Sequence, residues 1–148
     1  MLSYRTRRKV ELADTDLSGF VHFSRFLVFA EAAEHDFLAS VIGDPFVETD
    51  GGRLGWPRRK VACSFKHPLA FGDEVEINLT FRLGTASLDY SFTLHCGRHL
   101  AAEGEVALGC CLIDCHRGIK TIPIPNDIRR KLLRRDSAAT ESAGGIRK

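Results

Sequence analysis

The stretch LADTDLSGFVHF, residues 12–23, decides the fold because it leads straight into a long helical pattern. It places the carboxylates of Asp14 and Asp16, together with Gly19, between a predicted strand and the N-terminus of a predicted helix. Free backbone N–H groups and the positive end of the helix dipole meet at such a junction. The junction can hold a developing oxyanion while a nearby carboxylate attacks or activates water. These residues favour acyl transfer, and hydrolysis above all.

A single long helix is predicted from about residue 22 to residue 41. Apolar side chains recur there in steps of three and four, with no Pro or Gly among them. They are Phe23, Phe26, Leu27, Ala30, Ala33, Phe37 and Val41. Val28 and Phe29 extend the apolar surface around most of the helix, which is typical of a buried position. Gly43 and Pro45 end it.

Downstream of a polar loop the apolar period changes to two, which is typical of strands joined by tight turns. The predicted strands are 4–12, before the helix, and then 61–65, 75–81, 88–94 and a long last strand, 101–114. The predicted fold class is therefore α+β, with an antiparallel sheet of about five strands wrapped around one central helix. Apolar residues on both faces of the last strand favour burial on both sides, and so an oligomer.

One domain is predicted over residues 1–135 of the 148-residue chain. It closes with a short amphipathic helix from Asp127 to Leu133, and a disordered tail is expected over 136–148. The net charge of +2 gives no reason to expect a nucleic acid partner. The five cysteines form no C-x-x-C pair, and no secretory or membrane-spanning segment is evident. We therefore expect a cytoplasmic protein with reduced thiols, no membrane association and no metal site.

Three motifs carry a resemblance to a known family. Asp14-Thr15-Asp16-x-x-Gly19-x-Val21-x-Phe23 precedes a helix that contains EAAE at 31–34, and PLxFGDEV follows at 68–75. In this order and spacing the chain resembles the hotdog-fold acyl-CoA thioesterases of the 4-hydroxybenzoyl-CoA thioesterase family, over about residues 4–133. The resemblance implies an obligate dimer or a dimer of dimers. It also implies hydrolysis of an acyl-CoA or acyl-carrier-protein thioester, with coenzyme A as part of the substrate and no other cofactor.

The resemblance also implies roles for individual residues. Asp16 matches the family's catalytic carboxylate, which acts as nucleophile or as general base toward water. The backbone N–H of Phe23 matches the group that polarises the thioester carbonyl, and Gly19 belongs to the same motif. A thioester carbonyl is already electrophilic, so one carboxylate and an oxyanion site can suffice. Asp14 is expected to be a structural residue of the turn.

Two further catalytic candidates have open alternatives. His22 either begins the helix or touches the acyl group or water. Glu31 either lies at a dimer interface or satisfies buried backbone groups, or it supports the catalytic water. A carboxylate on so apolar a helix needs a partner or a raised pKa. A hotdog hydroxyacyl dehydratase would use His22 as its catalytic histidine, whereas a non-catalytic acyl-binding module would need neither residue.

The predicted substrate-binding residues are of two kinds. Aromatic candidates for the acyl pocket, each of which could equally be core, are Phe20, Phe26, Phe46 and Trp56. Cationic candidates for the substrate's phosphates are Arg58, Arg59, Lys60 and Lys120, with solvated strand faces as the alternative. The benzoyl enzyme carries basic residues where this chain has Thr85 and Ala86, so the cations must be supplied elsewhere.

Overall fold

A five-stranded antiparallel sheet and a smaller four-stranded sheet surround one long helix in the computed structural model, which describes residues 2–143, with side chains over 2–136. In chain order the elements are β1 (Leu2–Lys9), a 3-10 turn (Leu12–Asp14), α1 (Phe23–Ile42), β2 (Glu48–Thr49), β3 (Gly52–Gly55), β4 (Arg58–Phe65), β5 (Glu74–Leu83), β6 (Leu88–Cys96), β7 (His99–Leu108), β8 (Cys111–Asp114), β9 (Gly118–Thr121) and α2 (Asn126–Ala143). The main sheet has the order β1-β5-β6-β7-β4, and the small sheet has the order β2-β3-β8-β9.

The central helix confirms the prediction from apolar spacing. It runs from Phe23 to Ile42, and Gly43 ends it with a φ of 78°, a conformation that glycine adopts readily. Phe29 and Phe37 have no exposed surface, and the Phe37 ring stacks on Phe81 of β5 with centroids 4.3 Å apart. The inner face of the sheet and α1 therefore share one hydrophobic core.

The predicted last strand is two strands, which corrects the expectation of one continuous element over 101–114. β7 ends at Leu108 because the next two N–H groups leave the ladder: Gly109 donates to the Pro57 carbonyl and Cys110 to the Ala86 carbonyl. β8 then pairs with β3, a strand inside the segment that was expected to be only a loop. Pairing between strands that are far apart in the sequence does not change the local spacing of apolar residues.

The outer face of the main sheet is polar, which corrects the expectation of two apolar faces. Ala102, Val106 and Leu108 of β7 are buried on the helix side, whereas Glu103 and Glu105 point outward and are exposed. Of the apolar residues that suggested a second covered face, Cys111 and Ile113 lie beyond the break in β8, whereas Ala107 belongs to β7. The polar outer face therefore gives no argument for oligomerisation.

The C-terminal helix is longer than predicted. α2 continues to Ala143, so the disorder expected from residue 136 is not found over 136–143. This segment has no Gly or Pro before Gly144, and it contains several Ala, the residue with the highest helix propensity. The rest of the predicted tail, residues 144–148, lies outside the described residues.

We predict that Phe37→Ala lowers the free energy of unfolding by about 3–5 kcal/mol, because it leaves a cavity in a fully buried site. Phe71→Ala is the matched control, since the Phe71 side chain is 64% exposed. Urea unfolding followed by circular dichroism measures both. Equal losses in the two variants would contradict the placement of the core.

Candidate active site

The loop before α1 is a tight turn between Asp16 and Phe20. The Asp16 N–H donates to the Phe20 carbonyl, and the Gly19 N–H donates to the Asp16 carbonyl, both at 3.0 Å. Gly19 has a φ of 85°, which L residues with side chains rarely adopt. A bridge between Phe20 and Ala70 joins the turn to the loop that precedes β5. Gly19 thus has a conformational role, and the turn presents Asp16 at the protein surface.

The carboxylate of Asp16 is exposed and accepts two hydrogen bonds from one neighbour. Its Oδ1 atom accepts the Ser18 hydroxyl and, at 2.8 Å, the Ser18 N–H. These two hydrogen bonds hold the pKa of Asp16 below its ordinary value. Asp16 is therefore ionised at neutral pH, and Oδ2 remains available to act as a nucleophile or a base.

Asp14 differs from Asp16 in being buried and held by an arginine. Its Oδ1 atom accepts bonds from the Arg25 side chain at 2.7 and 2.9 Å, and its Oδ2 atom accepts the Glu11 N–H at 2.9 Å. Burial raises the pKa of Asp14, but the Glu11 and Arg25 hydrogen bonds outweigh it and leave the pKa lowered. The structure therefore gives Asp14 the structural position expected of it.

The N-terminus of α1 lies directly beside the turn. His22 is the N-cap: its Nδ1 atom accepts the Ser24 N–H at 3.3 Å and lies 2.7 Å from the Ser24 hydroxyl. Over residues 2–143, no acceptor is found for the N–H of Phe23, the first helical residue. This N–H carries part of the positive end of the helix dipole. His22 thus occupies the helix-entry position, and Phe23 offers a free donor for an oxyanion.

An open groove of about 380 Å³ runs beside this donor. Its lining is mostly apolar, with two basic side chains, and consists of Val21, Phe23, Phe26, Phe65, Lys66, His67 and Pro68. Phe26 is buried edge-on against Phe65, at 5.1 Å between centroids. Sequence reasoning missed Lys66 and His67, although they directly precede the Pro68 of the third motif. Phe20, which is 47% exposed, lies in the same turn as Asp16.

Other predicted pocket residues lie in the core or in a separate contact. Trp56 is buried, and its indole N–H donates to the Pro45 carbonyl at 2.8 Å, so it fixes the loop after α1. Phe46 is half-buried and meets the His35 ring edge-on. Neither lines the groove. Trp56 therefore packs in the core of the single chain, and its assignment as a substrate-binding residue stays a prediction.

The predicted cations do not converge on the groove within one chain. Arg58 turns inward and is held by Glu31 and Glu34 of α1, and its assignment to the substrate's phosphates stays a prediction. Lys60 lies on the outer face of the sheet near Asp89 and Glu105, and Lys120 is exposed on β9. Arg59 is exposed on β4. The sequence of a charged run does not show which of its side chains point into the protein.

A buried carboxylate, Glu34, was missed as an interacting residue. It is 1% exposed and accepts bonds from the Arg58 guanidinium and, at 2.9 Å, from the Tyr90 hydroxyl. Burial raises the pKa of Glu34, and Arg58 offsets this only in part. Glu31 is 45% exposed and lies 3.5 Å from the same guanidinium. Glu31 therefore has a cationic partner. The signal for Glu34 was its spacing of four and three residues from the apolar Ala30 and Phe37, which puts it on the buried side of the helix.

Two kinds of feature are absent from the described part of the chain. Among residues 2–143 no three His, Cys, Asp or Glu side chains come together as a metal site would require. No helix in the same range combines the length and the apolar composition needed to cross a membrane.

A family model described as the thioesterase-like superfamily matches residues 10–132, most of the chain. The chain belongs to this superfamily. The match includes the turn, α1 and the whole main sheet except β1, and it confirms the resemblance to hotdog thioesterases.

Individual relatives agree with this assignment. A protein of Aquifex aeolicus (strain VF5) with a provisional esterase name is 33% identical over 73 residues, which are 49% of this chain and 56% of that protein. A structure of protein TT1821 from Thermus thermophilus has 31% identity and a TM-score of 0.75, over 89% of this chain and 96% of the other. The 1,4-dihydroxy-2-naphthoyl-CoA thioesterase Slr0204 from Synechocystis has 23% identity and a TM-score of 0.77, over 88% and 96%. The chain thus matches little more than half of its curated relative, whereas the fold similarity covers nearly the whole domain.

We predict that Arg58→Met destabilises the fold by about 3 kcal/mol at pH 8, because it leaves Glu34 charged, buried and without its cation. The raised pKa means that protonated Glu34 favours folding. That contribution is complete below the ordinary value of 4.5 and is lost as the pH rises through the folded-state pKa. The deficit should therefore shrink toward pH 5. Arg59→Met is the control, and a deficit that does not change with pH would contradict this account.

Proposed function

We propose that the protein hydrolyses an acyl thioester, of coenzyme A or of a carrier protein, to a free acid and a thiol. One observation carries the proposal: the ionised carboxylate of Asp16 lies in the turn that leads into the free N–H of Phe23. A thioester bound with its carbonyl oxygen on that N–H has its carbon open to attack from the turn. The superfamily supports thioester hydrolysis as the general reaction.

The chemistry requires only these two groups. The Phe23 N–H and the helix dipole stabilise the negative charge that develops on the carbonyl oxygen. In one route the Asp16 oxygen attacks the carbonyl carbon, the thiolate leaves, and water hydrolyses the resulting anhydride. In the other route Asp16 takes a proton from water as the water oxygen attacks, and the departing thiolate receives that proton. Both routes use coenzyme A only as part of the substrate.

Asp16 is a better candidate than the other acidic or basic groups near the helix. Glu31 is engaged by Arg58, and His22 by Ser24. A hydroxyacyl dehydratase would need a catalytic histidine paired with an acid, whereas His22 faces a hydroxyl and a backbone N–H. Gly19 shapes the turn and takes no part in the reaction. A hydrolase is therefore favoured over a dehydratase.

A second copy of the chain is proposed to complete the site. β4 is the edge of the main sheet, and within residues 2–143 only β7 pairs with it. Val61 and Phe65 are 41% and 50% exposed on its helix side. An exposed edge strand with apolar side chains is a template for pairing. Antiparallel pairing of two β4 strands would give a two-fold dimer with one continuous sheet, and such dimers could pair into a homotetramer.

The groove indicates the kind of acyl group. Phe23, Phe26 and Phe65 give it aromatic walls, while Lys66 and His67 stand at its margin. Such walls suit an apolar or aromatic acyl chain. The relative from Synechocystis is a CoA thioesterase by name, which supports testing aromatic CoA esters first.

We predict that Asp16→Asn lowers kcat by about 10³-fold, because it removes the nucleophile or base and keeps the shape of the turn. The assay follows thiol release from short, medium and aromatic acyl-CoA esters. Asp50→Asn, an exposed aspartate between β2 and β3, is the matched control. Affinity for a thioether analogue of the preferred ester should change less than threefold, as is typical of a loss confined to the transition state.

The turnover and affinity measurements distinguish a thioesterase that uses Asp16 from an acyl-binding module. A fall in kcat with unchanged analogue affinity supports a thioesterase that uses Asp16. Retained turnover in Asp16→Asn would overturn the catalytic role of this residue. Binding of acyl esters without turnover in the wild-type protein would favour the acyl-binding module.

A further inference from the structure

The groove beside the Phe23 N–H has two basic side chains in its lining, and the backbone that carries them is held in place. The N–H groups of Lys66 and His67 both donate to the Ala101 carbonyl, at 2.8 and 3.1 Å. These two residues directly follow β4, and they line the groove together with the aromatic side chains. Hydrogen bonds to β7 therefore fix the position from which both side chains reach the groove.

A second histidine restricts the direction of the His67 side chain. The rings of His67 and His99 stack with their centroids 4.3 Å apart and an angle of 6° between their planes. His99 is the first residue of β7, so the stack ties the segment after β4 to the main sheet. We call Lys66, His67 and His99 the basic margin of the groove.

The basic margin has no acidic partner within the part of the chain whose side chains are described. Over residues 2–136, no ion pair and no side-chain hydrogen bond involves Lys66, His67 or His99. All three residues are exposed. A lysine ammonium has three N–H donors, and an imidazole keeps at least one N–H donor in each protonation state. The basic margin therefore has donors available for an anionic group that enters the groove.

The size of the groove indicates which part of a thioester meets these donors. Its volume of about 380 Å³ is near the lower end of the roughly 300–1,000 Å³ that is typical of small-molecule sites. The Phe23 N–H, the proposed donor to the thioester carbonyl, belongs to the same groove. In coenzyme A the whole pantetheine arm separates the phosphates from the sulfur. The geometry therefore favours contact of the basic margin with the acyl group over contact with the nucleotide.

We propose that the basic margin selects acyl groups that carry a carboxylate at the end away from the thioester. The apolar part of the acyl group packs against Phe26 and Phe65, and its carboxylate accepts hydrogen bonds from the Lys66 ammonium and the His67 imidazole. Hydrogen bonds of this kind are stronger than those between neutral groups. This inference rests on the proposed function and names its substrate class, the monothioesters of dicarboxylic acids. All three residues belong to one chain, so the proposed dimer is not needed to bring them together.

The test compares esters that differ only in a carboxylate or a methyl group at the far end of the acyl group. The aromatic pair is 4-carboxybenzoyl-CoA and 4-methylbenzoyl-CoA, and the aliphatic pair is adipoyl-CoA and hexanoyl-CoA. In at least one pair, the wild-type protein should show a kcat/KM about 10-fold higher on the carboxylated ester, as expected for hydrogen bonds between charged groups. No preference for the carboxylated ester in either pair would overturn the inference.

A double variant tests whether the basic margin causes the preference. Lys66→Met with His67→Gln should lower the ratio of kcat/KM on the carboxylated ester to that on the neutral ester by about 10-fold. His116→Gln with Arg117→Met is the matched control, because it removes an adjacent histidine and cation at the exposed turn between β8 and β9. The control should keep the wild-type ratio. An unchanged ratio in the Lys66 and His67 variant would contradict the proposed selection.

Esters of N-acetylcysteamine separate the acyl carboxylate from the phosphates of coenzyme A. They keep the thioester and the adjoining end of the pantetheine arm, but they lack the nucleotide. The double variant should show the same fall in the ratio on these esters as on the CoA esters. Equal losses on carboxylated and neutral CoA esters, with no loss on N-acetylcysteamine esters, would assign the cations to the phosphates and overturn the inference.

Binding measurements distinguish a failure of this inference from a failure of the proposed function. The CoA thioethers with 4-carboxybenzyl and 4-methylbenzyl groups cannot be hydrolysed, and isothermal titration calorimetry gives their affinities. The wild-type protein should bind the carboxylated thioether about 10-fold more tightly, and the double variant should lose this preference. If no ester is hydrolysed while the preference holds, the proposed function fails and the carboxylate selection stands. Equal affinities of the wild-type protein for the two thioethers would overturn the selection.

Discussion

The ion pair between Asp14 and Arg25 holds the turn that contains Asp16 on the first turn of α1. A carboxylate that is only 1% exposed is unfavourable without a partner, and the Arg25 side chain provides two hydrogen bonds to it. A backbone hydrogen bond adds to this attachment, because the His22 N–H donates to the Asp14 carbonyl at 2.9 Å. This attachment joins the turn that contains Asp16 to the start of α1, where the Phe23 N–H lies.

The two aspartates of the motif have different roles because their surroundings differ. Asp14 is desolvated and fully engaged, whereas Asp16 is exposed and keeps one oxygen free. Glu34, deep in the core, has its pKa raised instead of lowered, so it belongs to the packing of α1 on β4. Of these three carboxylates, only Asp16 is both charged at neutral pH and exposed to solvent. Acyl transfer needs that combination.

Local patterns in the sequence predicted α1 almost to the residue, because its apolar spacing is uninterrupted and Gly43 follows. The motif that contains Asp16 predicted a candidate site at the start of that helix, and the structure has the motif in the loop directly before α1. The division at Gly109 could not be predicted, because apolar residues continue through it and the cause is a bond to the distant Pro57 carbonyl. The inward turn of Arg58 was hidden for a similar reason, since its partner Glu34 lies 24 positions away.

The proposed mechanism depends on where the thioester carbonyl lies in the bound substrate. A crystal structure of Asp16→Asn with a slowly hydrolysed acyl-CoA measures this position directly. The account predicts a carbonyl oxygen about 3 Å from the Phe23 nitrogen, within hydrogen-bond distance, and the residue 16 side chain against the carbonyl carbon. A carbonyl bound elsewhere, with the Phe23 N–H still free, would contradict it.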